Sequence, residues 1–459
     1  MWPGISFVPV RMEALMERAR ADGLVFLVLG NLLFLLISFS IEIPSGHAHG
    51  LLLQDFKAIY YSTRCLLERH DPYSATDVEK VYLTESGADL TDHVVAGQLQ
   101  GVIYTVYFPT TFLLVAPFAL LAWNTAHVAW MIVTAVALAL ASFAAWHMST
   151  QGAPLYSGVL LALVMTGAFS VLWVGNAAGL VVALSVIAAA CFLEKRWIAV
   201  GVVCLAIALM LKPHNAWLVW LYFMLAGGPG RRYAIRSSML AGVCFIASAA
   251  WVWSFAPHWA AELRANLQTA SGPLGRDNPG PAALGTHTAG MIVDLRTVFS
   301  LVRDAPAFYS TASALLGVGL ITAWIWMVCK TPRTRTAAYL ALAAAAPLTL
   351  LPNYHRTYDT YLLLLCVPAA ALLWRHGGAT RWISAVLNAA AIVLTSPFVL
   401  TLLVNYADRL HPDLSTCAGR LLILLLERPI PLLLLGLAAL YLWALAREVR
   451  IARGFETAA

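Results

Sequence analysis

Thirteen apolar runs, most of them separated by short loops that carry the basic residues, dictate what this chain can fold into. They lie near 24–43, 105–122, 126–147, 154–172, 176–193, 197–211, 214–226, 235–256, 306–328, 337–352, 359–374, 382–404 and 420–446. The first, Leu24–Ile43, is about 20 residues, enough for the roughly 30 Å hydrocarbon core of a bilayer. Charged residues are 11% of the 459 and hydrophobic ones 61%, against about 25% charged in soluble domains. No soluble core hides that much apolar surface. The chain reads as an all-α polytopic membrane protein, one domain over 1–459, without a repeat or a nucleotide-binding glycine motif.

The +6 net charge is not a nucleic-acid signal, because the basic residues recur at regular intervals. Glu194-Lys195-Arg196, Arg231-Arg232-Tyr233 with Arg236, Lys330 to Arg335, Arg375 to Arg381 and Arg447 to Arg453 each follow an apolar run, so all five are expected in the cytoplasm. Arg11, Arg18 and Arg20 precede the first run, and no small-residue cleavage site follows it. This predicts an uncleaved anchor with a cytoplasmic N-terminus. Both termini inside requires an even number of crossings, so about twelve are expected, with one run between 100 and 195 re-entrant or fused with its neighbour. The external segments are then 44–104, Gly175-Asn176, Lys212-Pro213-His214, 257–305, Asn353–Asp359 and 405–418. Cys191, Cys204, Cys244, Cys329 and Cys366 lie in apolar runs as small apolar residues. Cys65 and Cys417 fall in external segments, where a bridge between them is one option that spacing does not decide.

Leu51–Tyr73 reads as an amphipathic helix in the membrane interface. On a helical wheel Leu52, Phe56, Ile59, Tyr60, Thr63, Leu66 and Leu67 share one face, and Gln54, Lys57, Tyr61, Arg64 and Glu68 the other. Asp55 lies at the border, with no cation at the next turn, where Ala58 and Ile59 sit. Asp71-Pro72-Tyr73 ends the helix, since proline disfavours helical geometry in the residue before it. A carboxylate at a membrane surface is where a lipid-linked substrate meets a general base.

Polar residues at the outer ends of apolar runs are costly near lipid and usually functional. Lys212-Pro213-His214 interrupts an apolar stretch; Lys212 either neutralises a phosphate or snorkels to water. Asn353-Tyr354-His355-Arg356-Thr357-Tyr358-Asp359 is denser. Arg356 suits bidentate phosphate binding, and His355 either donates to a phosphate oxygen or shuttles a proton. The bland alternative is an Arg356–Asp359 pair capping two helices. Gly175-Asn176 is equally a tight turn. His47, His49 and His287 lack ligand-type spacing, so no metal site is read from them.

The order of these features resembles glycosyltransferase family 87. Asp55-Phe56, Tyr60-Tyr61 and Asp71-Pro72-Tyr73 come first, then Tyr107-Phe108-Pro109-Thr110-Thr111-Phe112 and Ala116-Pro117-Phe118. Leu211-Lys212-Pro213 and a late turn, Tyr354-His355 to Tyr358-Asp359, complete the series over roughly 50–375. The resemblance implies a C-type (GT-C-like) integral-membrane glycosyltransferase, similar to polyprenol-phosphate-mannose-dependent α-mannosyltransferases. It implies an active site on the external face of a bacterial plasma membrane, Asp55 as the base and His355 near the donor. The chain departs from the family pattern in Gly175-Asn176, where Gly-Gln is common, and in the extra Arg356.

The chemistry follows from the residues as well. Transfer from a polyprenyl-phosphate sugar to a lipid or glycan acceptor needs a base for the acceptor hydroxyl and cations for the leaving phosphate. Asp55 supplies the first; Lys212, Arg356 and His355 the second. Tyr358, Asp359, His214, Asn176, Tyr61 and Arg64 complete the candidate substrate-binding set. One base and in-line displacement invert the anomeric configuration. The basic side chains suffice without a divalent metal or other cofactor, though a metal is compatible with the sequence. Two rivals remain. A secondary transporter also places polar residues at broken helices, but no inverted repeat is visible. A polyprenyl-linked polymer ligase or polymerase normally shows an Arg-rich external loop, whereas 257–305 carries only Arg264, Arg276, Arg296 and Arg303.

Overall fold

The computed structural model of the protein describes residues 9–40, 54–86, 99, 101–272, 277–280 and 291–456. Regular structure among them is helical, apart from one isolated bridge between Ile292 and Arg356. Seven helices are long and apolar enough to cross a membrane by length and composition, or eight if the bent pair Gly378–Leu394 and Phe398–Arg409 counts as one span. Gly228–Trp253 and Pro306–Lys330 turn Met239, Val243, Ile246, Leu315 and Val318 outward. An apolar rim of this kind needs lipid, not water, around it. The protein is a multi-pass helical membrane protein.

Two elements occupy the middle of the bundle because they are apolar all round. Every residue from Ala337 to Leu350 in the helix Arg335–Leu350 is buried, and Ala178–Glu194 is buried over most of its length. Beside them the chain re-enters as a 3₁₀ helix, Thr357–Leu365, continued by the α-helix Cys366–His376. At the periphery Pro9–Ser40 packs on Pro154–Gly167 through small residues, a device that lets membrane helices touch backbone to backbone. A Cβ added to Gly23 would meet the Pro154 carbonyl, and one added to Gly158 would meet the Gly23 carbonyl.

The two ends of the bundle carry different segments. Arg335 pairs with Glu194, joining two of the basic loops at one end. At the other end lie Gln54–Leu67, the turn at Gly175-Asn176, the break at Lys212 and the start of the 3₁₀ helix. The short helix Pro109–Ala119 has both its ends there: the Thr110 hydroxyl donates to Met210 O at 2.6 Å, and Arg64 Nη1 donates to Ala119 O at 3.0 Å. This run does not pass through the bundle.

Three expectations are corrected. Gln54–Leu67 keeps a polar edge, with Gln54, Lys57 and Arg64 not buried, but Tyr61, assigned to that edge, is buried along with Asp55, Phe56, Ala58 to Thr63, Cys65 and Leu66. Ala75–Ser86, Pro109–Ala119 and Trp123 cover the side a helical wheel leaves open, with Tyr61 against Tyr82 at 4.9 Å and Trp123 at 5.8 Å between ring centres. The run 382–404 bends by 78° at Thr395-Ser396, because Ser396 takes an extended ψ of 124° ahead of Pro397. The run 420–446 is two helices, Cys417–Leu426 and Ile430–Glu456, broken at Glu427-Arg428-Pro429. All seven cysteines are free; Cys65 is buried and Cys417 exposed, so the optional bridge is not formed. His47, His49 and His287 lie outside the described residues.

Candidate functional site

The site assembles where four chain breaks meet at one end of the bundle. Asp55 enters in the first turn of Gln54–Leu67 and is 8% exposed. Asn176 follows Gly175, whose φ of 67° ends the helix Phe169–Val174 in the left-handed geometry that glycine adopts without cost. Lys212 has φ −145° and ψ 81° and caps two helices at once: its N–H donates to Ala208 O at 3.1 Å, its carbonyl accepts from the Asn215 amide at 3.0 Å, and Pro213 begins the next helix. Asp359 Oδ2 accepts from the Arg356 amide and the Arg356 carbonyl from the Asp359 amide, which closes the start of the 3₁₀ helix.

These groups form one hydrogen-bonded chain. Asn176 Nδ2 donates to Asp55 Oδ2 at 2.7 Å. Asn176 Oδ1 accepts from the Ala178 amide at 2.8 Å and from Lys212 Nζ at 3.2 Å. Lys212 Nζ also reaches Asp359 Oδ1 at 2.9 Å, and Asn215 Nδ2 donates to that oxygen at 2.7 Å. Asp359 Oδ2 accepts from the Arg356 amide at 2.9 Å. Asp359 is 1% exposed and the Lys212 side chain 11%, so this is a buried ion pair with both carboxylate oxygens hydrogen-bonded. The Tyr358 ring lies 5.1 Å from Lys212 Nζ.

The late segment is held by the second long loop. The Val293 amide donates to His355 O and the Leu295 amide to Leu351 O, each at 2.9 Å. Asp294 grips Arg296 through both its oxygens, at 3.0 and 2.9 Å. Arg356 Nη2 donates to Asp277 Oδ1 at 3.1 Å, and the Tyr354 hydroxyl to the same oxygen at 2.6 Å. Arg356 is also within electrostatic reach of Asp55.

His355 is wholly buried, which pushes its pKa below the ordinary histidine value. Its Nδ1 lies 3.0 Å from Asn353 O; a carbonyl only accepts, so Nδ1 carries the proton of the neutral ring. Nε2 therefore presents a lone pair and has no hydrogen-bond partner among the described residues. The neutral ring can take a proton there. Donation to a phosphate oxygen from Nε2 requires the charged ring. His214 packs beside it with 5.3 Å between ring centres.

Of the candidate residues, the structure brings together Asp55, Asn176, Lys212, His214, His355, Arg356, Tyr358 and Asp359. It leaves two aside. Tyr61 is packed in the aromatic cluster, and Arg64 is bound to Glu68 and to Ala119 O. Asn215 and Asp277 belong to the site and were missed. Asn215 continues Lys212-Pro213-His214, so that polar turn already signalled it; nothing in the sequence tied Asp277 to Arg356. Arg428 was missed as well. It is 1% exposed and donates to Pro279 O, Thr297 O and Ser300 Oγ at 2.9, 2.8 and 3.0 Å, fastening the second long loop to the last helix pair. The Glu-Arg-Pro interruption of an apolar run was its signal. No group of three or more His, Cys, Asp and Glu side chains among the described residues is arranged to hold a metal.

Fold and site together define a multi-pass helical membrane protein with a buried, charged and hydrogen-bonded centre at one end of its bundle. Comparison of the chain with protein-family models, curated proteins and solved structures finds no match to any of them.

Proposed function

We propose that the protein is a C-type membrane glycosyltransferase that moves a hexose, mannose first among the candidates, from a polyprenyl-phosphate donor to a lipid or glycan acceptor. The reading includes about twelve crossings of a bacterial plasma membrane, both termini in the cytoplasm and the site facing outward. One observation carries it: Asp55, Lys212 and the pair His355-Arg356, from three distant parts of the chain, converge at the end of the bundle opposite the Arg335–Glu194 loops.

Asp55 takes the proton of the acceptor hydroxyl as that oxygen attacks the anomeric carbon, and the polyprenyl phosphate leaves from the opposite face with inversion. Arg356 and Lys212 stabilise the charge developing on the phosphate. Lys212 shares its charge with Asp359 and Arg356 shares its own with Asp277, and the planar fork of Arg356 suits two phosphate oxygens at once. His355 Nε2, which has no hydrogen-bond partner among the described residues, accepts a hydroxyl hydrogen in this reading. Tyr358, His214, Asn176 and Asp359 surround the reacting groups.

Arg356→Ala is expected to raise the KM for the polyprenyl-phosphate sugar roughly 10-fold or more, for a charged contact of about 1.5–3 kcal/mol, with little change in acceptor KM. Arg356→Lys recovers only part of the loss. Donor and acceptor titrations of the purified variants decide it; a loss confined to the acceptor reverses the assignment of the two ends of the site.

Sidedness is tested by cysteine labelling in a background without Cys329 and Cys417, the two exposed native thiols. In intact cells a membrane-impermeant maleimide should label His70→Cys and Asn353→Cys, and reach Arg196→Cys and Arg232→Cys only after permeabilisation. Labelling of position 353 only after permeabilisation contradicts an outward-facing site.

A further inference from the structure

We propose that Asn176 is a positioning residue that holds the Asp55 carboxylate in one orientation for proton abstraction, and that Trp130 braces both partners. This rests on Asp55 being the base, and it gives Asn176 a role other than contact with substrate.

The amide has only one orientation available. Its Oδ1 lies 2.8 Å from the Ala178 N–H and 3.2 Å from Lys212 Nζ, and both of those groups can only donate. The oxygen must therefore be where it is, and Nδ2 must face Asp55 Oδ2, 2.7 Å away. With Asn176 3% exposed and Asp55 8%, water competes little for this bond. One carboxylate oxygen is thereby tied, and the direction of the other is set.

Trp130 contacts the chain on each side of the pair. Its Nε1 donates to Gly175 O at 3.0 Å, immediately before Asn176. Its ring stacks on Phe56, immediately after Asp55, with 4.8 Å between centres and 15° between planes. Trp130 is 2% exposed, so this single indole registers the turn carrying the amide against the helix carrying the carboxylate. General-base catalysis is sensitive to such registration: a displacement of about 1 Å costs up to roughly 10²-fold in rate.

The test uses purified full-length protein with a polyprenyl-phosphate sugar that the wild type consumes. Asn176→Ala should lower kcat about 10–100-fold while leaving donor and acceptor KM within about twofold. Trp130→Phe, which keeps the stacked ring and removes the N–H, should lower kcat several-fold, again with KM unchanged, and serves if Asn176→Ala does not fold. A raised KM with kcat retained makes Asn176 a substrate contact and overturns the proposal, and wild-type kcat in Trp130→Phe overturns the bracing. Melting temperatures of Asn176→Ala, Asp55→Ala and the double variant test the pairing without any assay of transfer: non-additive shifts support it, and additive shifts overturn it. If the wild type consumes no donor, the base role falls and the catalytic part of this proposal falls with it, while the melting shifts still decide the pairing.

Discussion

Asp55→Asn should reduce glycosyl transfer at least about 100-fold while the protein still folds and inserts, the loss expected for removing a general base. The two side chains have the same shape, and an asparagine oxygen at position 55 can still accept the hydrogen bond that Asn176 Nδ2 donates to Oδ2. The helix Gln54–Leu67 keeps its other anchors. Phe56 remains stacked on Trp130, and Tyr60 still donates to Leu121 O at 2.8 Å. What disappears is proton affinity and one negative charge near Arg356. Turnover by the purified variant, set beside its melting curve and detergent-column profile, separates loss of chemistry from loss of fold. Near-wild-type turnover would remove Asp55 as the base.

Lys212→Ala is expected to act on stability as strongly as on activity. Asp359 is 1% exposed, and its Oδ1 accepts from Lys212 Nζ and Asn215 Nδ2 together. Removing the ammonium leaves a buried carboxylate without its counter-charge, which costs about 3–5 kcal/mol in such pairs. The 3₁₀ helix Thr357–Leu365 begins at this carboxylate, so the loosened segment includes His355 and Arg356. A lower melting temperature and reduced yield of folded protein are the expected signs. Lys212→Met combined with Asp359→Asn should recover part of the stability, because both charges are then gone while the single amide oxygen still serves one of the two donors, Asn215 Nδ2 or the Arg356 amide. If Lys212→Ala melts as the wild type does, the ion pair is not what holds this end of the bundle.

The all-helical membrane architecture was legible because apolar runs reflect the solvent around them, and bilayer length is a strict constraint. Lys212, Asn176 and the 353–359 segment were legible because polar groups stand out between such runs. The placement of Tyr61 and Arg64 was not. A helical wheel assigns faces as though a helix had one covered side, whereas Ala75–Ser86, Pro109–Ala119 and Trp123 close over the second side of Gln54–Leu67. Trp130 looked like one aromatic residue among many in a long apolar helix. Its importance comes from reaching Gly175 O and Phe56 at once, a long-range coincidence with no local pattern. Asp277 and Arg428 were hidden for the same reason: each serves a partner far away in sequence.

Transfer of a sugar from a polyprenyl phosphate by this centre can be followed directly. The most direct measurement incubates the purified full-length protein in lipid nanodiscs with a panel of radiolabelled polyprenyl-phosphate hexoses and a membrane-lipid and glycan extract as acceptor. Label should pass from one donor, polyprenyl-phosphate mannose first among them, into a new lipid or glycan product, with an inverted anomeric linkage and no product from Asp55→Asn. Absence of label transfer from every donor by wild-type protein that is folded and monodisperse, or equal transfer by Asp55→Asn, would contradict the account.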